Sequence, residues 1–156
     1  MPTDKPIREV MTRQVVTLTP EMDVRAAARV LQEQGITGAP VVDEDGTFIG
    51  MLEDEDLIAT EANVHVPTVL NLLGVDFSLP WENARFKEDL RKAASASVRD
   101  LMREDFPSVG ESATIGEVAT LMRDEDISRV VVVDARNFIV GIVARSDLVR
   151  SLATEA

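Results

Sequence analysis

The sequence predicts an α/β protein of the α+β kind, in which two β-α-β-β-α repeats pack through their sheets with pseudo-twofold symmetry and a helical connector joins them. Three observations favour this fold class: the chain carries an internal duplication, both copies show the same order of strand and helix patterns, and the whole chain has 156 residues. A copy of about 52 residues buries too little apolar surface to be stable alone, so the copies are expected to share one core.

The duplication emerges when the sequence is shifted by 91 residues, which aligns residues 7–58 with residues 98–149 without a gap. Most positions keep their polarity, as in Val24/Ile115 and Ile49/Val140. A gapless match of this length indicates that one unit was duplicated. The identical pairs include Arg8/Arg99, Met11/Met102, Ala28/Ala119, Ile36/Ile127, Val41/Val132, Asp43/Asp134, Gly50/Gly141, Asp56/Asp147 and Leu57/Leu148.

The first copy has a readable order of elements. Apolar residues at i, i+3, i+4 and i+7 predict a helix that begins near Asp23 and ends at Gly35. Runs rich in Val and Ile separated by Asp45-Gly46 predict a β hairpin. The remaining expected elements are a strand at Val15–Leu18 before the helix, the hairpin strands Ala39–Asp43 and Thr47–Leu52, and a last helix from about Asp54.

The second copy repeats this order with a sharper helix start. Thr114 and Glu117 stand three residues apart before an apolar face and predict a capping box. The hairpin strands are expected at Val130–Asp134 and Phe138–Val143, and the last helix near Ser146.

The chain is therefore divided into repeat 1 (7–58), a connector (59–97) and repeat 2 (98–149), which together form one module. The connector reads as helical and holds three of the six aromatic residues, Phe77, Trp81 and Phe86. These aromatic side chains either attach the connector to the repeats or form a dimer contact or a lid over a cleft.

Composition excludes several classes of protein. The chain has no cysteine and one histidine, His65, which rules out disulfides, thiolate sites and histidine pairs. A net charge of −12 disfavours nucleic acid as a partner. No stretch is apolar enough to span a membrane and Met1–Glu9 does not look like a signal peptide, so a cytoplasmic location is expected.

The two repeats resemble CBS domains, which usually occur as tandem pairs (Bateman modules). The resemblance rests on Val10-Met11-Thr12, Gly35–Asp43 and Gly50-Met51-Leu52 leading to Asp56-Leu57, and on their second-copy counterparts Val98–Met102, Asp126–Asp134 and Gly141–Val143 leading to Asp147-Leu148. The whole chain is similar to a stand-alone bacterial CBS-pair protein with a helical insertion between the repeats.

This resemblance implies a regulatory module without catalytic activity. In the family, clefts between the repeats bind AMP, ADP, ATP or S-adenosylmethionine, the modules commonly form homodimers, and ligand occupancy regulates a partner protein. No cofactor is expected. The alternative is a structural or interaction dimer whose degenerate clefts bind no nucleotide.

The resemblance also implies a ribose-binding aspartate at the start of each last helix, where Asp56 and Asp147 stand. A carboxylate suits this role because it accepts hydrogen bonds from two adjacent sugar hydroxyls. The alternative is an acidic residue that stabilises the helix start through the helix dipole. The family usually carries Thr or Ser three residues earlier, and this chain departs from that pattern with Glu53 and Ala144.

The two helix starts differ in charge, which predicts unequal clefts. The first reads Glu53-Asp54-Glu55-Asp56 and the second Ala144-Arg145-Ser146-Asp147. Four adjacent carboxylates repel a phosphate, whereas Arg145 can pair with one. Arg129, in the stretch equivalent to Thr37-Gly38, is a second arginine for the same ligand. The alternative for Arg145 is a solvated surface charge. The acidic run is interpreted as a solvated helix start in preference to a Mg²⁺ or Ca²⁺ site. The cleft at Asp56 is expected to be empty, to hold a cation or to take a ligand with little negative charge.

The expected nucleotide cleft is therefore the one at Asp147, with apolar residues forming the walls for adenine. The candidate ligand-binding residues are Thr17, Ile36, Thr37, Gly38, Ala39, Pro40 and Asp56 in the first copy, and Ile127, Ser128, Arg129, Arg145, Ser146 and Asp147 in the second. No catalytic residue and no metal ligand is expected, because the chain contains no phosphate-binding glycine loop and no nucleophile motif.

Overall fold

A computed structural model describes residues 2–57 and 96–154 and has a mixed α/β fold with two sheets and helices, as predicted. The predicted connector lies outside these residues except for Ala96 and Ser97. The helices are α1 (Val24–Gln34), α2 (Val98–Leu101), α3 (Ile115–Asp124) and α4 (Arg145–Thr154), with short 3₁₀ turns at Pro2–Asp4 and Ile7–Glu9. The strands are β1 (Gly38–Val42), β2 (Phe48–Glu53), β3 (Ser108–Gly110), β4 (Arg129–Val133) and β5 (Ile139–Ala144).

The starts of the helices follow the capping residues in the sequence. Asp23 accepts a hydrogen bond from the Ala26 N–H at 2.8 Å and begins α1. The predicted capping box of α3 is confirmed, because Thr114 accepts from the Glu117 N–H at 3.1 Å and its own N–H donates to Glu117 at 2.8 Å. The buried faces have the predicted helical spacing, with Val24, Ala27 and Leu31 on α1 and Ile115, Val118 and Met122 on α3.

A second capping box begins α2. The Ser97 N–H and hydroxyl donate to the Asp100 carboxylate at 2.9 and 3.1 Å. These two hydrogen bonds, the backbone one first, hold the pKa of Asp100 below its usual value. The stabilisation by this carboxylate is present above its unfolded-state pKa and is lost as the pH falls through the lowered folded-state pKa.

Both long repeat helices end in a residue with a left-handed backbone. Gly35 has φ 63° after α1, and Asp126 has φ 52° at the equivalent position after α3. In each case the next N–H bonds a carbonyl five residues back, Ile36 to Leu31 at 3.0 Å and Ile127 to Met122 at 2.9 Å. The glycine is confirmed as the helix-ending residue, and the second copy adopts the same turn with a residue that has a Cβ.

Replacing Asp126 by glycine should stabilise the protein by about 0.5–1 kcal/mol, because glycine adopts positive φ without the steric cost that other residues carry. Calorimetry should show a melting temperature raised by roughly 1–4 °C. The matched control is Gly35→Ala, which should lower stability through backbone strain alone, since a Cβ at Gly35 would meet nothing within 4 Å. An unchanged or lower melting temperature for Asp126→Gly would contradict this account.

The three-stranded sheet is built on a central strand. β4 pairs in parallel with β3 and in antiparallel with β5. Val130, Val131 and Val132 are 0% exposed, as is typical of a strand that is covered on both faces. Valine suits this position because its branched side chain packs well on a pleated surface.

The other sheet is the hairpin of β1 and β2, and here the predicted strand Val15–Leu18 is reduced to one bridge. Only Leu18 pairs, with Val41, and its N–H donates to the Pro40 carbonyl at 2.9 Å. The second copy has Val131 where the first has Pro40, and there the full strand β3 forms. Proline has no N–H to donate to a longer ladder, which accounts for the difference.

The chain divides into two compact units, and each takes segments from both sequence copies. Unit 1 comprises the described residues of Met1–Thr17, Val42–Ile49 and Asp105–Ala156, and unit 2 those of Leu18–Val41 and Gly50–Glu104. The segment that opens each copy, residues 5–12 or residues 96–103, therefore belongs to the unit that holds most of the other copy. We call these the opening segments.

In unit 1, the first opening segment is bound to the second copy by backbone hydrogen bonds. The Ile7 N–H donates to the Ala113 carbonyl at 2.7 Å, and the Ile115 N–H donates to the Lys5 carbonyl at 2.9 Å. Thr12 and Ile142 exchange two hydrogen bonds of 2.9 Å as an antiparallel bridge on β5. The edge of the sheet is thus completed by chain from the first copy.

In unit 2, the second opening segment forms the same bonds with the first copy, each displaced by 91 residues. The Val98 N–H donates to the Met22 carbonyl at 2.9 Å and the Val24 N–H to the Ala96 carbonyl at 3.1 Å. Met51 and Arg103 exchange hydrogen bonds of 3.0 and 2.8 Å. These hydrogen bonds of the two units therefore follow the duplication seen in the sequence.

Candidate functional site

The candidate aspartates stand where a strand runs directly into a helix. β5 ends at Ala144 and α4 begins at Arg145, so Asp147 is the third residue of the helix. In the first copy β2 ends at Glu53 and helical residues follow from Asp54. We call each of these strand-to-helix junctions a corner. The first-copy corner is Glu53–Asp56 and the second-copy corner is Ala144–Asp147, which are equivalent positions of the two repeats.

Each aspartate accepts a hydrogen bond from the backbone N–H of the residue just before its helix. Asp147 Oδ2 accepts from the Ala144 N–H at 2.8 Å, and Asp56 Oδ2 accepts from the Glu53 N–H at 2.8 Å. This is half of a capping box, the half supplied by the third helical residue. The other half needs a hydroxyl at the N-cap, which a Thr or Ser would supply and which Ala144 does not have.

Ala144→Thr should complete this box and stabilise α4 by about 0.5–2 kcal/mol, since it adds an acceptor for a helix N–H that Ala144 does not supply. Asp147 already accepts the hydrogen bond from the N–H of residue 144, which is the other half of the box. Thermal unfolding should show the increase, and Ala144→Val, which has a similar shape and no hydroxyl, is the matched control. Equal effects of the two substitutions would contradict the capping explanation.

The second oxygen of Asp147 is engaged by Arg150. Asp147 Oδ1 lies 3.4 Å from Arg150 Nη1, one helical turn away, and the two side chains are 14% and 74% exposed. An ion pair with one strongly exposed member contributes about 0–1 kcal/mol. Sequence reasoning missed Arg150, although its i, i+3 spacing from Asp147 was a signal for this contact.

The structure brings the second-copy candidates together around the corner. Arg129 is paired with Ala144 in the β4–β5 register. The Arg145 N–H donates to the Ser128 carbonyl at 2.8 Å, and Arg145 Nη2 donates to the Ile127 carbonyl at 3.2 Å. Arg145 is therefore more than a free surface charge, because it fixes the turn that precedes β4. Ser128, Arg145 and Ser146 are exposed, whereas Ile127 is 5% exposed.

The first-copy corner shares the backbone contact but not the side-chain contact. The Asp54 N–H donates to the Thr37 carbonyl at 2.8 Å, as Arg145 does to Ser128. Asp54 has a carboxylate where Arg145 has a guanidinium, so it has no donor to offer the carbonyl of Ile36. Thr37 is exposed and Ile36 half-buried, while the candidates that follow them in β1 are buried, namely Gly38, Ala39 and Pro40.

The thirteen candidates are divided between the two units. Unit 1 holds Thr17, Ile127, Ser128, Arg129, Arg145, Ser146 and Asp147, and unit 2 holds Ile36, Thr37, Gly38, Ala39, Pro40 and Asp56. Thr17 is exposed and lies in the same unit as Asp147, although it comes from the first copy.

Two other features concern only the part of the chain that the structure describes. No group of three or more His, Asp or Glu side chains within residues 2–57 and 96–154 is arranged to hold a metal ion. No helix in the same residues has the length and apolar character needed to cross a bilayer. His65 lies outside the described residues.

Comparisons with known proteins agree with the repeat pattern. The model of the CBS domain family matches residues 7–63 and 98–154. The uncharacterized protein MJ1426 of Methanocaldococcus jannaschii is 30% identical over 152 residues, which covers 94% of this chain and 90% of that protein.

Solved structures share the fold. The crystal structure of CBSX2 from Arabidopsis thaliana in complex with AMP is 25% identical with a TM-score of 0.74, and the match covers 96% of this chain and 97% of that one. The CBS domain pair of protein MJ0100, in complex with 5′-methylthioadenosine and S-adenosyl-L-methionine, is 21% identical with a TM-score of 0.71 and covers 97% and 98%. At that identity only the fold is comparable. This chain belongs to the CBS domain family and contains a tandem pair of the domain.

Proposed function

We propose that this protein is a non-catalytic regulatory module that binds an adenine nucleotide or S-adenosylmethionine and signals ligand occupancy to a partner protein. The proposal includes a homodimer and a cytoplasmic location, where such ligands are made. Its binding residue is Asp147, with Arg145 and Arg129 close to the phosphate and Ile127 beside the adenine.

The corner formed by Ala144, Arg145 and Asp147 supports this proposal most directly. It holds a carboxylate in a fixed orientation through the 2.8 Å bond to the Ala144 N–H and gathers two arginines within a few residues of it. A carboxylate next to cations suits a ligand with a diol and a phosphate. CBSX2, which shares the fold over nearly its whole length, binds AMP.

Charge favours the second-copy corner over the first. Asp56 stands with Glu53, Asp54 and Glu55, and two of these, Asp54 and Glu55, are exposed. Four carboxylates in sequence repel the phosphate of a nucleotide, so this corner is proposed to be empty or to take a ligand with little negative charge.

Titration calorimetry with AMP tests the assignment of Asp147. Asp147→Asn keeps an oxygen for the Ala144 N–H and removes the charge, so it should weaken AMP binding about 10- to 100-fold, the usual value of hydrogen bonds to a charged group. The matched control, Asp56→Asn, makes the same change in the other copy and should leave AMP binding as in the wild type. Unchanged affinity in Asp147→Asn would refute the assignment.

The second candidate function is an interaction dimer without a nucleotide. Two observations favour it: Ala144 and Glu53 replace the family's hydroxyl residues, and α4 exposes Val149 and Leu152, which are 62% and 48% accessible. A thermal-shift screen with AMP, ADP, ATP and S-adenosylmethionine separates the two, because a ligand of the native state must raise the melting temperature. No shift at millimolar concentration would favour the interaction dimer.

A further inference from the structure

We propose that Arg150 is a specificity-determining residue, which makes the site at Asp147 select adenosine ligands that carry a negative group over neutral nucleosides. This inference rests on the proposed function and deepens it, since it concerns the ligand class of the same site. Arg150 was not among the candidates from the sequence, and the family pattern that assigns Asp147 does not include it.

Both oxygens of the Asp147 carboxylate have a partner within the protein. Asp147 Oδ2 is held by the Ala144 N–H at 2.8 Å, which fixes the helix start. Asp147 Oδ1 is the oxygen nearer to Arg150, at 3.4 Å. A ribose diol donates two hydrogen bonds, so its arrival at this carboxylate brings it to the oxygen that Arg150 already contacts.

Arg150 is the exposed member of its pair with Asp147. Its side chain is 74% exposed and its partner only 14% exposed, so the arginine is the member that can move into solvent. The contact is long for a charge-assisted hydrogen bond and, with one member strongly exposed, contributes little to stability. A ligand can displace it, and each ligand that does so loses that contribution from its own binding.

Neutral nucleosides and nucleotides differ in what they offer the displaced Arg150. A neutral nucleoside displaces Arg150 and offers it no new partner. A nucleotide displaces it and brings a phosphate with which the guanidinium can pair, so the lost contact with Asp147 is replaced. Arg150 therefore penalises the neutral ligand and not the anionic one.

The first copy lacks this device. The residue equivalent to Arg150 after the 91-residue shift is Ala59, which carries no charge. The selection described here is therefore a property of the second-copy site only.

The test compares the dissociation constants of AMP and adenosine by titration calorimetry at about 20 mM salt, where exposed charges are weakly screened. The measured quantity is the ratio of the adenosine to the AMP dissociation constant. In Arg150→Gln this ratio should fall about two- to fivefold, because adenosine binding becomes tighter while AMP binding stays close to that of the wild type. Arg150→Lys, which keeps the charge, should retain most of the ratio, and about 300 mM salt should shrink the difference between variant and wild type.

Arg136→Gln is the matched control, because it removes the same charge from the turn between β4 and β5, at the far end of the hairpin from Ala144. It should leave the ratio as in the wild type. Wild-type binding of both ligands with an unchanged ratio in Arg150→Gln, or an equal fall in Arg136→Gln, overturns the inference while the proposed function stands. A wild-type protein that binds neither ligand refutes the proposed function, and the role of Arg150 falls with it.

Discussion

Residues 1–74 and 75–156, expressed as separate chains, should fail to fold alone and should form a stable one-to-one complex when mixed. The cut lies between the two ranges that match the CBS domain, so each fragment keeps one complete sequence copy. Neither fragment contains a complete structural unit, because unit 1 and unit 2 each take chain from both sides of the cut.

Each fragment lacks the opening segment that the other carries. The 75–156 fragment would lose Ile7, which is 0% exposed, and the bridge from Thr12 to the edge of β5. The 1–74 fragment would lose Val98, also 0% exposed, and the bridge from Arg103 to Met51. Burial of apolar surface at this level decides whether a chain of about 80 residues folds.

Circular dichroism melts of each fragment and size-exclusion chromatography with light scattering of the mixture test this expectation. Alone, each fragment should show no cooperative transition. Ile7→Asp in the 1–74 fragment is the control variant, because it places an unpaired charge at a fully buried position and should prevent the complex from forming. A cooperative transition in a single monomeric fragment, close to that of the intact chain, would refute the exchange of opening segments.

Gly141→Ala should destabilise the protein by about 1–3 kcal/mol, the usual cost of overpacking a core. A Cβ on Gly141 would press on Met11 Sδ and would lie 2.8 Å from Met11 Cγ and 3.1 Å from the Thr12 carbonyl oxygen. Met11 can move its side chain, but the Thr12 carbonyl belongs to the bridge with Ile142 and cannot move without breaking it. The melting temperature should fall by roughly 3–10 °C.

Gly110→Ala is the matched control for this prediction. Gly110 also lies in a strand of unit 1, and a Cβ there would meet nothing within 4 Å. Its effect should stay within about 0.5 kcal/mol. A double-mutant cycle with Met11→Ala should show that the two costs are less than additive, since removal of the Met11 side chain opens space for the new methyl group. Additive costs would contradict the proposed clash.

The paired glycines illustrate how far the sequence could lead. Gly50 and Gly141 form an identical pair in the duplication, but the sequence does not indicate why glycine is needed at these positions. The methionine of an opening segment packs against each glycine, Met102 against Gly50 and Met11 against Gly141, so that a Cβ there would clash with it. Each glycine is distant in the chain from its methionine, and no local pattern indicates which of the two copies supplies the methionine.

The candidate site shows the same division. The position of Asp147 at the start of a helix follows from the strand and helix patterns around it. The pairing of Arg129 with Ala144 lies one residue beyond the predicted strands Val130–Asp134 and Phe138–Val143. The contact of Asp147 Oδ1 with Arg150, and that of Arg145 with the Ile127 carbonyl, depend on side-chain orientations that sequence spacing permits without requiring.

By itself the sequence determined the duplication, the α/β class, the capped helix starts, the turn at Gly35 and the place of the two aspartates. These features depend on residues within about one helical turn or one hairpin of each other, where backbone preferences act. Only the tertiary structure decided that the opening segments are exchanged between the copies and that Pro40 reduces one strand to a bridge. Those outcomes depend on which distant groups meet in space, and burial and hydrogen bonding select them only in the folded chain.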